Sequence, residues 1–231
     1  MKPKIGENRL IPWSLARYLA GGSEALVQLN KSRFTLSPVL FDDNHISLFK
    51  KNGLIFSDDN LIKAIRKGFA FPKVFPIFFS PCIAAESFKI LKLLENFYCQ
   101  SYASIDQVMV LLRASLEACA AFANYHVNAK KILEDESGSI VFSVVDFGTV
   151  GWIMKKPNNL WETGSGNLNH DPSATVTFKN LGVALKSTKG QIDHMVDPVI
   201  GKVMYAGKLP LLDKFGFISR MAFTQIPRPS T

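Results

Sequence analysis

Cysteines are few in this sequence, and their spacing suggests no metal site. The chain of 231 residues holds three, Cys82, Cys99 and Cys119. The odd number leaves at least one thiol unpaired, so a disulfide framework is not expected and a reducing compartment is the simpler interpretation. Cys99 and Cys119 fall within apolar helical patterns, which predicts buried thiols without chemistry of their own.

Long uninterrupted hydrophobic runs are also missing. A membrane-spanning helix needs about 20 apolar residues, and the nearest candidate, Gly68 to Pro81, is shorter and is interrupted by prolines and a lysine. The N-terminus carries Glu7, Arg9 and Pro12 where a secretory signal has an apolar core. We therefore expect a cytoplasmic protein. The five phenylalanines of Gly68 to Pro81 leave three roles open for this segment: burial against helices, a lid over a pocket, or an anchor at a membrane interface.

Positive charge is concentrated at the two ends of the chain. Residues 1–33 hold six Lys or Arg against two acids, residues 201–231 hold five against one, and the stretch between them is neutral. Basic ends suit an anionic membrane surface or a nucleic acid. Zinc spacings, a helix-turn-helix pattern and RNA-binding aromatic signatures are missing, which argues against nucleic acid. Ordinary solubilising lysines explain the ends equally well.

Catalytic and cofactor-binding motifs are missing as well. There is no H-E-x-x-H and no G-x-S-x-G, and Gly164-Ser-Gly166 lacks the rest of a phosphate-binding loop. In principle His126, His170 and His194 could join Cys119 or nearby acids in a triad or metal site, and His194 would be the one to test. We therefore predict no catalytic residue, no metal ligand and no cofactor.

Helical periodicity dominates residues 1–117. Leu10 to Leu19 predicts a short helix ended by Gly21-Gly22. Two short apolar runs on either side of Asn52-Gly53 predict a hairpin. A capping box of Ser104 and Gln107 predicts a long helix that is buried on nearly all sides. The remaining predicted elements are a helix from an N-cap at 57–60 through Arg66 and a helix over 82–98.

After Leu133 the pattern changes from helical to alternating, which indicates strands. An antiparallel meander of four strands is predicted, followed by a helix, a fifth strand and an amphipathic C-terminal helix. Strands followed by helices indicate an α+β fold. The predicted strands are 140–146, 149–154, 160–163, 174–178 and 203–207, and the helices are about 180–187 and 209–223.

Three motifs, in this order, resemble the type 2 sterol carrier domain. Asp171-Pro-Ser-Ala-Thr-Val-Thr-Phe178 is similar to the fourth-strand pattern of that family, and Asp197-Pro198 stands where the family has this dipeptide. Gly201-Lys-Val-Met-Tyr-Ala-Gly207-Lys-Leu209 is similar to the pattern that leads into the last helix. The resemblance covers residues 118–225 and implies a five-stranded antiparallel sheet, covered by helices that enclose an apolar tunnel. Residues 1–117 then form a mainly helical N-terminal extension of unknown role, and residues 226–231 form a tail.

The resemblance implies a non-catalytic lipid-binding protein. A helix that docks loosely on a sheet leaves a tunnel, which would hold a sterol, fatty acyl, phospholipid or isoprenoid-like ligand. Inward residues of the sheet and of the last helices would line this tunnel. They are Phe142, Val144, Trp152, Val176, Phe178, Leu185, Ile192, Met195, Val203, Leu212, Phe215 and Ile218.

Two alternatives share this pocket and differ in what the protein does with its ligand. The chain could be an accessory or scaffold protein whose extension presents an apolar intermediate to biosynthetic enzymes. It could also be an enzyme that acts on an apolar substrate. The expected partner is therefore a lipid or other apolar small molecule, with an anionic membrane surface or biosynthetic enzymes as further partners, and no nucleic acid.

Overall fold

The computed structural model describes residues 9–29, 40–42, 45–48, 54–67, 72–73, 77–78, 81–193 and 195–227. Helices and a small sheet form the N-terminal part, and helices with a five-stranded sheet form the C-terminal part, so the fold is α+β as predicted. The N-terminal elements are α1 (Leu10–Gln28), β1 (Leu40–Asp42), β2 (His45–Leu48), β3 (Leu54–Phe56), α2 (Asp58–Lys67), α3 (Pro81–Cys99) and α4 (Ile105–Tyr125). The C-terminal elements are α5 (Val127–Ile132), β4 (Ser139–Val144), β5 (Gly148–Lys155), β6 (Trp161–Gly164), β7 (Ala174–Phe178), α6 (Leu181–Thr188), α7 (Val196–Val199), β8 (Val203–Gly207) and α8 (Leu209–Gln225).

Helix α1 is longer than predicted, because Gly21 and Gly22 pack against other helices. The helix continues through both glycines to Gln28. A Cβ at Gly21 would lie 2.5 Å from Glu117 Cγ of α4, and a Cβ at Gly22 would lie 2.7 Å from Leu94 Cδ2 of α3. Both distances are too short for real side chains, so the glycines allow α1 to approach α3 and α4 closely. The predicted helix end at these residues is therefore wrong.

The predicted hairpin is confirmed. Strand β2 pairs antiparallel with β3, with Ser47 opposite Ile55, and β1 adds to the other edge of β2. The Asn52-Gly53 turn lies outside the described residues. Helix α2 begins after Ser57, whose Oγ accepts a hydrogen bond from the backbone N–H of Asn60 at 3.4 Å, as the predicted N-cap requires.

Most of the phenylalanine-rich segment from Gly68 to Pro81 lies outside the described residues. Within it, the side chain of Phe78 is exposed. The lid and anchor hypotheses for this segment stay predictions. In the part of the chain that the structure describes, every helix is too short or too polar to cross a membrane.

The central helix is α4. Ser104 Oγ accepts from the backbone N–H of Gln107 at 3.2 Å, as the capping box predicts, but the Gln107 amide donates to Phe97 O instead of turning back to residue 104. Almost every side chain from 107 to 123 is buried, with α1 on one side and the five-stranded sheet on the other. The predicted burial on nearly all sides is confirmed. The domain boundary predicted between residues 117 and 118 lies within this helix, and the division into two domains stays a prediction.

A buried ion network joins α1, α4 and β6. Glu117 accepts hydrogen bonds from Arg17 Nε at 2.9 Å and from Thr163 Oγ1 at 2.6 Å. Arg113 Nη2 lies 3.0 Å from both Glu117 Oε1 and Glu24 Oε2, and Arg113 also donates to Thr163. Two guanidinium groups thus face two carboxylates, which balances the charges between the extension and the sheet.

The five-stranded sheet is mixed, which corrects the predicted antiparallel arrangement. The strand order is β6-β5-β4-β7-β8, and three of the four pairs are antiparallel. Strand β7 pairs in parallel with β4, from Ile140 opposite Ala174 to Val144 opposite Phe178. The chain therefore crosses from β6 at one edge to the far side of β4. Alternation of apolar residues predicts a strand but not its direction relative to a neighbour, so the meander prediction is wrong at this position.

Candidate ligand-binding site

A cavity of about 330 Å³ lies between the inward face of the five-stranded sheet and helices α4 and α8. We call it the sheet cavity. Alternate residues of β4, β7 and β8 form one wall, since successive side chains of a strand point to opposite faces. Eight of the twelve predicted residues line it: Phe142, Val176, Phe178, Ile192, Met195, Val203, Leu212 and Phe215. Their contact with a ligand stays a prediction.

The other four predicted residues lie elsewhere. Three of them, Val144, Leu185 and Ile218, are buried in the hydrophobic core around the cavity. Gly151 of β5 faces Leu112 of α4, so strand alternation turns its neighbour Trp152 to the opposite face of the sheet. On that face the indole ring of Trp152 lies over Gly164, its pairing partner on the neighbouring strand β6. The predicted position of Trp152 is therefore corrected. Trp152 was expected to face the cavity because it is large and apolar, whereas the inward position on β5 belongs to Gly151.

Helix α8 presents two neighbouring stripes to the protein interior. Leu211, Phe215, Ile218 and Ala222 are buried in the core, and Leu212, Gly216, Ser219 and Phe223 line the sheet cavity beside them. A Cβ built on Gly216 meets no atom within 4 Å, so the space next to this glycine belongs to the cavity. Gly216 and Ser219 were not among the predicted lining residues, because only large apolar side chains were expected to line the tunnel. Their helical spacing from Leu212 is the signal that could have found them.

Polar residues complete the wall of the sheet cavity. Tyr205, Asp213 and Arg220 line it together with the apolar residues. Burial raises the pKa of the Tyr205 phenol, the charge of Asp197 raises it further, and the charge of Arg220 opposes both. The phenol is therefore neutral at neutral pH and lies within electrostatic reach of a guanidinium. An apolar cavity with a few polar groups can orient an amphiphile, whose head would contact these groups while its chain lies along the sheet.

A second and larger cavity, of about 780 Å³, lies between the N-terminal elements and α4. We call it the extension cavity. Its walls are mainly apolar side chains of α1, α2, α3 and the β2–β3 hairpin, and α4 and the end of α8 close the other side. No sequence pattern predicted it, because its walls come from elements far apart in the chain. Four residues line both cavities, which are therefore adjacent there: Ser115, Cys119, Thr188 and Phe223.

The polar atoms at this junction are already engaged within the protein. The hydroxyl of Ser115 hydrogen-bonds to two backbone carbonyl oxygens, at 2.8 and 3.1 Å, and that of Thr188 donates to a third at 2.7 Å. Burial raises the pKa of the Cys119 thiol to about 11, so it is protonated at neutral pH, and it lies 3.7 Å from Ser219 Oγ. An apolar ligand could therefore lie against the junction without depriving a polar group of its partner.

The two candidate catalytic histidines that the structure describes have separate partners. His126 Nδ1 accepts a backbone N–H at the start of α5 at 3.3 Å, and its ring stacks on Phe122. His170 Nε2 lies 3.5 Å from Ser139 Oγ, and His194 lies outside the described residues. Among the residues that the structure describes, no group of three metal-binding side chains occurs.

Of the cysteines predicted to be buried, only one is. Cys119 is 3% exposed, as predicted, whereas Cys99 is exposed. Cys99 follows the buried Tyr98 on α3, and each helical residue turns about 100° from the last. Its side chain therefore points away from the core, and its predicted burial is wrong.

Glu136 ties α8 to the segment between α5 and β4. Lys208 Nζ lies 2.7 Å from Glu136 Oε2, and Lys214 Nζ donates to Oε1 at 2.7 Å. The two ammonium groups, with Lys208 having the larger effect, hold the pKa of Glu136 below its ordinary value of 4.5, against the opposing effect of burial. The carboxylate thus anchors the N-terminal turns of the helix that lines the sheet cavity.

We expect Glu136 to contribute to stability in a pH-dependent way. Because its pKa is lower in the folded state, the contribution is complete above the ordinary pKa and is lost as the pH falls through the lowered folded value. In thermal denaturation, the stability advantage of the wild type over Glu136→Gln should be constant near neutral pH and shrink below about pH 4.5. Glu134→Gln, at an exposed position on the same segment, is the control; an equal acid response in both variants would contradict the assignment.

Neither a family model nor a curated protein sequence matches the chain. Among solved structures, the chain is similar to the sterol carrier protein domain 2 of Helicoverpa armigera, with 15% identity and a TM-score of 0.39 over 50% of this chain and 91% of that one. It is also similar to a conserved hypothetical protein of Thermus thermophilus described as a possible sterol carrier protein, with 13% identity and a TM-score of 0.36 over 51% of this chain and 90% of that one. Both similarities cover about half of this chain.

Proposed function

We propose that this protein binds a lipid or another apolar small molecule in the sheet cavity and catalyses no reaction. The observation that carries the proposal is the cavity of about 330 Å³, whose walls are largely apolar and whose α8 side includes the small residues Gly216 and Ser219. This volume lies at the lower end of the range of about 300–1,000 Å³ for small-molecule sites. It suits a single acyl chain or a ring system of moderate size.

Burial energy supports an amphiphilic ligand. A chain of ten methylenes gains about 8 kcal/mol on burial, before the cost of immobilising it. Because a micromolar Kd alone corresponds to about 8 kcal/mol, contacts of a polar head have to offset that cost. Tyr205 and Arg220 are the groups that would make them.

The proposed ligand contacts come from both the sequence and the structure. The eight predicted residues that line the sheet cavity are joined by Gly216 and Ser219. Val144, Leu185 and Ile218 support this wall from the surrounding core.

The ligand exchanges between the cavity and an anionic membrane surface, and the protein is cytoplasmic and peripheral to the membrane. The excess of positive charge at both ends of the sequence supports binding to an anionic surface. Met195 lines the sheet cavity although it is 79% exposed, and α7 follows it with Val199 at 85%. These apolar side chains support an exchange route at that edge of the cavity.

Native mass spectrometry of the purified protein, before and after incubation with decanoic acid, tests the proposal. We expect a co-purified lipid or a one-to-one complex with the fatty acid, with a Kd in the micromolar range by calorimetry. A mass that stays that of the bare chain at millimolar fatty acid, with no heat of binding, would contradict the proposed function.

A further inference from the structure

The extension cavity is more than twice the size of the sheet cavity, at about 780 against 330 Å³. Its wall is built by elements far apart in the sequence: Leu15 and Leu19 of α1, Leu61 of α2, and Leu91 and Leu94 of α3. Protein interiors are normally close-packed, with few voids larger than a water molecule. A partly open, mainly apolar space of this size, bordered by five helices and a hairpin, therefore has the character of a ligand site.

The position of the extension cavity next to the sheet cavity indicates what it would hold. The two spaces adjoin at the junction residues Ser115, Cys119, Thr188 and Phe223, which line both. The hydroxyl groups there bond to backbone carbonyls, and the thiol is protonated. A hydrocarbon chain that passed between these side chains would therefore meet no charged group at the boundary.

Charged groups of the extension cavity lie on α2, on α3 and after α6. Lys92 Nζ donates to Glu95 Oε2 at 2.9 Å, and Lys189 Nζ lies 5.1 Å from the centre of the Tyr98 ring. Lys67 also contributes to the wall. The four side chains at the junction itself carry no charge, so an apolar chain between them would strand no ionic group.

We propose that the extension cavity is a second compartment of one ligand site and receives the far end of a lipid too long for the sheet cavity. The proposal rests on the proposed function and adds the size class of the ligand. If a methylene is given the roughly 30 Å³ that a water molecule takes up in the liquid, the sheet cavity holds on the order of ten such groups. A chain of twenty carbons then needs both compartments, whereas decanoic acid needs only the sheet cavity.

A substitution that places a large side chain in one compartment at a time distinguishes the contributions of the two compartments to binding. Ala64 of α2 lines the extension cavity and not the sheet cavity, so Ala64→Phe should weaken binding of arachidonic acid at least about tenfold by calorimetry and leave decanoic acid within about twofold. Gly216→Phe fills the sheet cavity and should weaken both. The matched control is Ala85→Phe, the same change at an exposed position of α3 outside both cavities, which should alter neither.

The outcomes distinguish this inference from the proposed function. If Ala64→Phe leaves both affinities unchanged while Gly216→Phe lowers both, the second compartment is rejected and the proposed function stands. If Ala64→Phe lowers both equally, the division into compartments is rejected. If Gly216→Phe changes neither affinity, the proposed function itself is rejected.

A second measurement does not depend on how well Ala64→Phe folds. Wild-type protein is photolysed with an arachidonic acid analogue that carries a diazirine at the end remote from the carboxylate, and the labelled peptides are identified. We expect label on α2 or α3, near Leu61 or Leu91. Label confined to residues 139–225 would overturn the proposal.

Discussion

Replacing Gly216 by phenylalanine is expected to lower the affinity for decanoic acid by about 100-fold or more, a loss of about 2.7 kcal/mol. The side chain would enter the space beside α8 where a Cβ meets no atom within 4 Å, and the ring would occupy the volume that the ligand needs. The fold should persist, because phenylalanine is a better helix former than glycine. Calorimetric titration, with circular dichroism to check folding, measures both effects.

Gly216→Ala is the matched control. One methyl group takes up little of a cavity of about 330 Å³, so the affinity should change less than about threefold while the helix gains up to about 1 kcal/mol. Equal loss of binding in both variants would point to a backbone effect instead of a filled cavity. Unchanged binding in Gly216→Phe would show that the ligand lies elsewhere.

Replacing Glu117 by alanine is expected to give the largest loss of stability, about 3–5 kcal/mol in the free energy of unfolding. The carboxylate is 5% exposed and holds Arg17, Arg113 and Thr163 together. Its removal would leave the guanidinium of Arg113, 9% exposed, with Thr163 and the partly exposed carboxylate of Glu24 as its remaining partners. Urea denaturation followed by circular dichroism measures the change.

Two further variants identify the cause of that loss. Glu117→Gln keeps the size and can still accept hydrogen bonds, so it should lose clearly less than Glu117→Ala and yet remain less stable than the wild type. Glu95→Ala removes an exposed ion pair with Lys92 and should cost less than about 1 kcal/mol. A loss in Glu117→Ala no larger than that in Glu95→Ala would contradict the importance of the buried network.

The sequence predicted the helices and strands well because their periodicity and caps are local. The N-cap at Ser57 and the half of the capping box in which Ser104 accepts from Gln107 are examples. The end of α1 was misjudged because glycine has two uses in helices. Only the positions of Glu117 and Leu94, far away in the chain, show that Gly21 and Gly22 serve close packing.

The direction of β7 could not be predicted, for a related reason. Its apolar residues, Ala174, Val176 and Phe178, alternate with polar ones, and alternation identifies a face but not a neighbour. The pairing of β7 with β4 follows from the crossover after β6, which local pattern does not encode.

The candidate site was only partly predictable, because a cavity depends on small residues as much as on large ones. Phe178 and Phe215 were chosen for their size, and both line the sheet cavity. Gly216 and Ser219 leave space on the α8 side of this cavity because their side chains are small. The extension cavity needs helices separated by long stretches of chain to come together, so no local pattern indicates it.

The two halves of the molecule share one helix, and this has a consequence for how the chain melts. Helix α4 gives Leu111 and Phe122 to one hydrophobic cluster and Val110 and Ala121 to the other. Because α4 contributes to both clusters, we expect the two halves to unfold in a single cooperative transition. A ligand bound on either side of α4 should then raise the melting temperature of the whole described structure.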